Sequence, residues 1–251
     1  MIYELEDTAC AKHLFGNWEE TMIYSCVQKT MGKLFAAEKN NPKSVMAKLG
    51  DFIFFAGEPC KELVESNFNG FVIMVPQTDE WAHFIKAYYK DKCRQVTRYA
   101  MKKNTVFDKN HLTGLIAKLP KGYNLQLIDE NLFDQCFNHQ WSRDLVSVFE
   151  SKNRYLEKGL GVAAVKNGQI VAGASSYTRY QEGIEIQVDT RMDERRKHLA
   201  TACCAKLILE CLERGLYPSW DAQNLWSVHL AEKLGYELSH EYIAYEVNQK
   251  D

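Results

Sequence analysis

The chain has 251 residues, 25 % of them charged, with a formal net charge of -2. So near-neutral a balance gives no general attraction to nucleic acid or to acidic membranes, so neither is expected as a partner. With 46 % hydrophobic residues, the length is enough for one large domain or two ordinary ones. The first seven residues are acidic and lack an apolar run, so no secretory leader is expected. The apolar runs at 52–57 and 71–76 are strand-sized and too short to span a bilayer, which points to the cytoplasm. The eight cysteines include no CxxC pair and the seven histidines show no ligand spacing, so reduced, buried thiols and no metal site are expected. Cys203 and Cys204 read as packing residues, since no His or Asn is placed by sequence to activate them.

In chain order, residues 18–39 read as helical and 51–57 as a strand. Residues 58–67 look like a short helix introduced by Pro59, and 71–75 like a second strand. Thr78, followed by Asp79 and Glu80, marks the start of another helix. Leu119-Pro120-Lys121-Gly122 is the best boundary, giving an N-terminal α/β domain over 1–120 and a second domain over 121–251. In the second part, 123–128 alternates as a strand and 134–158 reads as mostly helical. Residues 161–165 and 170–177 form a hairpin around Asn167-Gly168. A turn at 181–183 leads into a strand over 184–190, then a helix to Arg214 stopped by Gly215. A strand over 217–222, a helix over 224–234 closed by Gly235 and a last strand over 236–247 complete the chain.

The chemistry concentrates around residues 184–201. Period-two alternation puts Ile184, Ile186 and Val188 on one face of the strand and Glu185, Gln187 and Asp189 on the other, which is expected to face water or a cleft. The run Arg195-Arg196-Lys197 would elsewhere be an ordinary exposed patch. Here it opens a helix, where each cation opposes the macrodipole by roughly 0.3–1 kcal/mol, so an anion such as phosphate would compensate it. Ala200, Thr201, Ala202, Cys203, Cys204 and Ala205 keep the first helical turns narrow.

Arg195-x-x-His198-x-Ala200 resembles the acetyl-CoA pyrophosphate motif, R/Q-x-x-G-x-G/A, of the GNAT superfamily of N-acetyltransferases. The resemblance is closer still to the zwittermicin A resistance type of GNAT protein. It is carried by Ala174-Ser175-Ser176-Tyr177, Gly183-Ile184-Glu185-Ile186, Asp189-Thr190 and Leu199-Ala200-Thr201-Ala202. Further on it is carried by Leu207-Ile208-Leu209-Glu210-Cys211, Tyr217-Pro218-Ser219-Trp220-Asp221-Ala222 and Leu230-Ala231-Glu232-Lys233-Leu234-Gly235-Tyr236. It covers roughly 123–247 well and the N-terminal half less distinctively. The resemblance implies a mixed, mostly antiparallel sheet flanked by helices, of α/β (α+β) class, with an additional N-terminal α/β domain. That domain would be an acceptor-cleft wall, a homodimer surface or a degenerate second copy of the fold.

The same resemblance implies acetyl-CoA as co-substrate. Main-chain N–H groups of Arg196, Lys197, His198, Leu199, Ala200 and Thr201 would hold the pyrophosphate, with Arg195 adding charge. Val188 would pair with the pantetheine and polarise the thioester carbonyl, Asn224 would reach the pantetheine arm, and Ser227 would lie beside it. Glu185 falls near the strand carboxylate that serves as general base in several members. Asp189 and Asp221 are second choices, Asp221 also for binding a cationic acceptor. Tyr177 is a candidate acceptor contact weighed against a place in the core. Two departures stand out. His198 occupies the glycine position, which a side chain tolerates if the backbone stays right-handed. Ala231 stands where many members have an acid tyrosine, leaving Tyr236 or Tyr217 to protonate a thiolate of pKa about 8.5, or no acid at all. The expected activity is acetyl transfer to the amine of a small molecule such as an amino-polyol antibiotic. The alternatives are a protein or peptide acceptor, or a CoA-binding module without catalysis.

Overall fold

The computed structural model describes residues 1–66 and 70–249. The chain divides into two compact units, Met1–Arg98 with Glu241–Asp251, and Tyr99–His240. The 120/121 boundary expected from the Pro-Gly turn falls inside the second unit. The first unit runs through β1 (Tyr3–Glu4), α1 (Ala9–Lys12), α2 (Thr21–Val27), β2 (Lys33–Ala36), β3 (Ser44–Leu49) and β4 (Phe52–Gly57). It continues with α3 (Lys61–Val64), β5 (Gly70–Pro76), α4 (Asp79–Tyr89) and β6 (Cys93–Met101), whose end lies in the second unit. There follow α5 (Lys109–Ile116), β7 (Asn124–Leu127), α6 (Glu130–Asn138), α7 (Lys152–Lys158), β8 (Gly161–Lys166), β9 (Gln169–Tyr180) and β10 (Gly183–Thr190). The last elements are α8 (Leu199–Glu213), β11 (Tyr217–Ser219), β12 (Asp221–Ala222), α9 (Leu225–Leu234) and β13 (Leu238–Gln249), which returns the chain to the first unit. Among the described residues no helix is long and apolar enough to cross a membrane.

In the first unit the strands lie in the order β1-β2-β3-β4-β5-β13-β6. The apolar runs of β3 and β4 are buried along nearly their whole length, as strands covered on both faces must be. Thr78 caps α4, its hydroxyl accepting from the Trp81 N–H at 3.4 Å. Trp81, Ile85 and Tyr89 then form one helical face against Met46, Ile53, Phe55 and Met74. The helix expected at 58–67 is confined to α3, and its last expected residue, Asn67, lies outside the described residues. The helix expected over 18–39 shrinks to α2. Lys29 and Gly32 turn the chain with positive φ, and β2 then pairs with β3, burying Leu34 and Ala36 in alternation.

In the second unit the sheet order is β11-β10-β9-β8-β7. Asn167 and Gly168 both take positive φ and close the β8–β9 hairpin, as the Asn-Gly turn predicts. The small residues of α8 let it lie close on Ala164, Ala172, Ala174, Ile184 and Ile186. The segment expected to be mostly helical over 134–158 breaks between α6 and α7. The buried Ser142 hydroxyl bonds the Cys136 carbonyl at 3.1 Å, and Ser151 caps α7 through the Arg154 N–H.

The strand expected over 217–222 also splits. β11 runs parallel to β10, whereas β12 pairs with Ala100 and Tyr99 of β6. Gly183, at the start of the β10–β11 ladder, has no room for a side chain: a Cβ there would run into the Tyr217 carbonyl and the Tyr180 ring. Gly183→Ala should therefore lower unfolding stability by about 1–3 kcal/mol in chemical denaturation, and a change near zero would refute the close approach.

Candidate active site

Strand β10 pairs with β9 from Gly183 to Thr190, but with β11 only through Gly183, Ile184 and Glu185. After Ser219 the partner strand turns away through Trp220. Ile186 to Thr190 thus present an edge with no strand beside it among the described residues, the Thr190 carbonyl accepting from Arg195 Nε at 3.4 Å. A β-bulge accompanies the split: Glu185 lies opposite Thr178 and Ile186 opposite Ser176, so Tyr177 is the extra residue. Tyr177 itself is buried. Val188, midway along the open edge, is half-buried and packs against the α8 side of the core.

The open edge runs into a tight loop. A 3₁₀ turn at Met192–Glu194 is followed by Arg195, then Arg196 at φ 63° and His198 at φ 62°. His198 does not keep the right-handed backbone expected of it; it takes the left-handed conformation that the motif's glycine would supply. A non-glycine residue there costs roughly 1–2 kcal/mol, and such strain gathers where a ligand needs the backbone. Alternating left-handed residues before a helix turn successive N–H groups toward one point, adding to the positive end of the 15-residue α8. Arg195 and Arg196 are exposed, and Arg196 makes no ion pair among the described residues. Lys197 differs, because its ammonium donates to Glu194 Oε2 at 2.6 Å and to the Asp193 carbonyl at 3.1 Å. Leu199 is buried, while Ala200 and Thr201 are half-buried.

The Glu185, Gln187 and Asp189 face was expected to meet water or a cleft. Instead Glu185 is only 3 % exposed. The segment after α6, together with α7 itself, covers this side of the sheet, with Leu145 against Gly173 and the Tyr155 hydroxyl of α7 2.8 Å from Ser175 Oγ. Lys103, which the sequence did not single out, lies 3.9 Å from Glu185 Oε2. Its ammonium also donates to Ser219 Oγ at 2.7 Å and the Trp220 carbonyl at 3.5 Å, at the end of the β10–β11 ladder. Opposite Glu185, the buried Thr178 hydroxyl has no hydrogen-bond partner among the described residues. Gln187 donates to Asp189 Oδ2 at 2.9 Å. Burial pushes the Asp189 carboxyl up to about 6, with Asp144 adding to the shift and Arg195 opposing it.

The downstream candidates have structural partners. Asn224 Oδ1 accepts from the Ser227 N–H at 3.0 Å and caps α9, while Ser227 Oγ accepts from the Trp220 indole at 3.2 Å. Tyr236 is buried, donates to the Pro218 carbonyl at 2.6 Å, and has its hydroxyl pKa raised far above the usual range by burial. Tyr217 donates to the Lys102 carbonyl at 3.0 Å and accepts from the Thr105 N–H at 3.2 Å. Asp221 is half-buried in β12, and Ala231 is fully buried in α9. Cys203 and Cys204 are fully buried with their thiol pKa values raised by desolvation, as packing residues should be.

The sequence profile of the GNAT acetyltransferases matches residues 12–245. The chain belongs to that family. It is an acyltransferase enzyme of a family that uses acetyl-CoA and acts on the amines of small molecules or peptides. The match spans both compact units, so the relationship is not limited to the half that carries the pyrophosphate motif. A GCN5-related N-acetyltransferase-like protein from Streptococcus suis 89/1591 is 46 % identical, and its crystal structure aligns at TM-score 0.91 over 96 % of this chain and 98 % of that one. The uncharacterized N-acetyltransferase YdfB of Bacillus subtilis (strain 168) is 27 % identical over 241 residues, 90 % of this chain and 89 % of its own length. A GCN5-related N-acetyltransferase from Sphaerobacter thermophilus shares the fold alone, at 11 % identity and TM-score 0.56, over 100 % of this chain and 96 % of that one.

The Asp189 carboxyl gives a pH test. Its folded pKa, about 6, lies above an unfolded value near 3.9, so ionisation destabilises the fold increasingly between those pH values and by a constant amount above them. Asp189→Asn keeps an acceptor for Gln187. It should be more stable than the parent by about 3 kcal/mol at pH 7.5, with the gain shrinking toward pH 4 in denaturant titrations. A difference that does not vary with pH would contradict the assignment.

Proposed function

We propose that this enzyme transfers the acetyl group of acetyl-CoA to the amine of a small polyol-like molecule. The observation that carries the reading is the open edge of β10 leading directly into the strained, cationic loop at the start of α8. In this reading the pyrophosphate sits on the N–H groups of Arg196 to Thr201, with Arg195 and Arg196 adding charge. The pantetheine runs along β10, and the Val188 main chain polarises the thioester carbonyl. Asn224 has its amide N–H₂ left to offer the pantetheine while its carbonyl caps α9. Ser227 acts indirectly, by anchoring Trp220. Residues 121–251 carry the chemistry, with Lys103 contributed from ahead of them. The amino-polyol class of acceptor is supported by the resemblance to zwittermicin A resistance proteins. The buried polar group of Glu185, Lys103, Ser219 and Thr178 also suits a ligand rich in hydroxyls. A cytoplasmic location is supported by acetyl-CoA being an intracellular metabolite.

An alkyl ammonium of pKa about 10.4 must lose a proton before it can attack, at a cost of about 4–5 kcal/mol at pH 7. Glu185 accepts that proton, directly or through one water, as the amine approaches the carbonyl carbon. The new amide bond forms as the carbon–sulfur bond breaks and the electron pair leaves on the CoA sulfur. Positioning the two substrates side by side then suffices without an acyl-enzyme. The thiolate, of pKa about 8.5, leaves without a tyrosine acid. Tyr236 and Tyr217 serve the ladder instead: Tyr236 is too weak an acid once buried, and its proton is committed to the Pro218 carbonyl. Asp189 and Asp221 are not needed as bases, and Tyr177 shapes the bulge.

The experiment is thiol release from acetyl-CoA against a panel of amino-polyols, amino sugars and peptides. Turnover confined to peptides would sink the small-molecule acceptor. Glu185→Gln should lower kcat/KM by about 10²–10³ at pH 7, with the deficit narrowing toward pH 9 as more acceptor is already neutral. A rate unchanged from pH 6 to 9 would remove Glu185 as the base.

A further inference from the structure

Lys197 belongs to the basic run of the cofactor loop, yet its ammonium turns away from the run. It reaches back three residues to Glu194, a residue only 4 % exposed. The same carboxylate accepts from the Tyr123 hydroxyl at 2.5 Å and from the Lys166 ammonium at 3.3 Å. Arg191 lies 3.5 Å away, itself paired with Asp193. Tyr123 and Lys166 are neighbours in turn. They sit just beyond the paired residues Asn124 and Val165 of β7 and β8, where the Lys166 ammonium lies 4.9 Å from the Tyr123 ring centre and donates to its hydroxyl at 3.3 Å. Hydrogen bonds from Lys197, Tyr123 and Lys166 hold the Glu194 carboxyl down at about 2. One carboxylate thus joins the end of a two-strand ladder to the single residue lying between the left-handed Arg196 and His198.

We infer that Glu194, held by Tyr123 and Lys166, is the positioning residue of the cofactor loop, and that Lys197 acts by fixing the loop backbone through Glu194 and not by touching a phosphate. Two left-handed non-glycine residues flank Lys197, and their strain favours relaxation of the ligand-free loop. The bonds to Glu194 oppose that relaxation and keep the N–H groups aimed before the ligand arrives. Arg195 and Arg196, both exposed, are left to meet the anion. The inference rests on the acetyl-CoA reading above for the ligand, but its loop component can be tested without any ligand.

Two readouts separate the possibilities. The first is titration calorimetry with CoA on the parent, Glu194→Gln, Lys197→Met and the double variant. Each single substitution should weaken CoA roughly tenfold, the double should be no worse than the weaker single, and Lys197→Arg should restore most of the affinity. The saturating kcat should stay within about twofold while KM for acetyl-CoA rises. If Lys197 contacts phosphate directly, Glu194→Gln releases it and leaves CoA binding equal or tighter, which would overturn the inference. The second readout is amide hydrogen exchange at 195–199 in the ligand-free protein, which should quicken in both single variants; unchanged exchange would equally overturn it. Failure of the parent to bind CoA would instead strike the functional reading, with the exchange experiment still deciding the role of Glu194. Should Glu194→Gln not fold, Tyr123→Phe removes one bond to the same carboxylate and carries both readouts.

Discussion

Parallel pairing between β10 and β11 ends at Glu185 and Ser219, and the layout of the second unit follows from that short ladder. Gly183 lets the two strands approach, the Pro218 carbonyl takes the Tyr236 hydroxyl, and Ser219 and the Trp220 carbonyl hold Lys103. Each of these anchors lies at or just beyond the ladder. Past it β12 leaves for β6, and the remaining edge of β10 has no strand beside it among the described residues. A sheet edge inside a folded domain has backbone donors and acceptors to satisfy, and here they lead into a helix N-terminus with its own unsatisfied donors.

Three carboxylates near this region illustrate how environment divides labour among chemically similar groups. Glu194 is surrounded by donors and held firmly ionised, which suits a structural tie. Asp189 is desolvated beside Asp144 and ionises late, so at neutral pH it is a cost to the fold. Glu185 precedes both along the chain and is buried, with a lysine 3.9 Å away and a hydroxyl-bearing strand opposite. The backbone of the cofactor loop follows a similar economy. The shape that glycine would adopt freely is imposed on Arg196 and His198, and neighbouring side-chain bonds hold it.

Much of this fold was legible in the sequence where local chemistry decides the structure. Asn167-Gly168 specified a hairpin, Thr78 a helix start, and Gly215 and Gly235 helix ends, because each needs only its own neighbours. The pyrophosphate motif and the series of short matches from Ala174 to Tyr236 pointed to the family whose profile matches residues 12–245. What escaped depends on distant partners. Residues 33–36 carry only the short apolar run Leu34-Phe35-Ala36, which suits a helix as well as a strand, and they become a strand because β3 lies beside them. Lys103 is one of 31 basic residues and is distinguished only by meeting Ser219 and Glu185 from more than eighty positions away. The Glu194 to Lys197 spacing was visible, but its ties to Tyr123 and Lys166 were not. His198 was misjudged for a related reason: its handedness is set by the loop around it and not by its own preference.

The central claim is that CoA binds on the open edge of β10 and the N–H groups opening α8. Following backbone amide shifts of isotope-labelled protein while CoA is added tests it most directly. The account predicts the largest saturable shifts at Val188 and across Arg196 to Thr201. Saturable shifts elsewhere, with those amides unmoved, would contradict it.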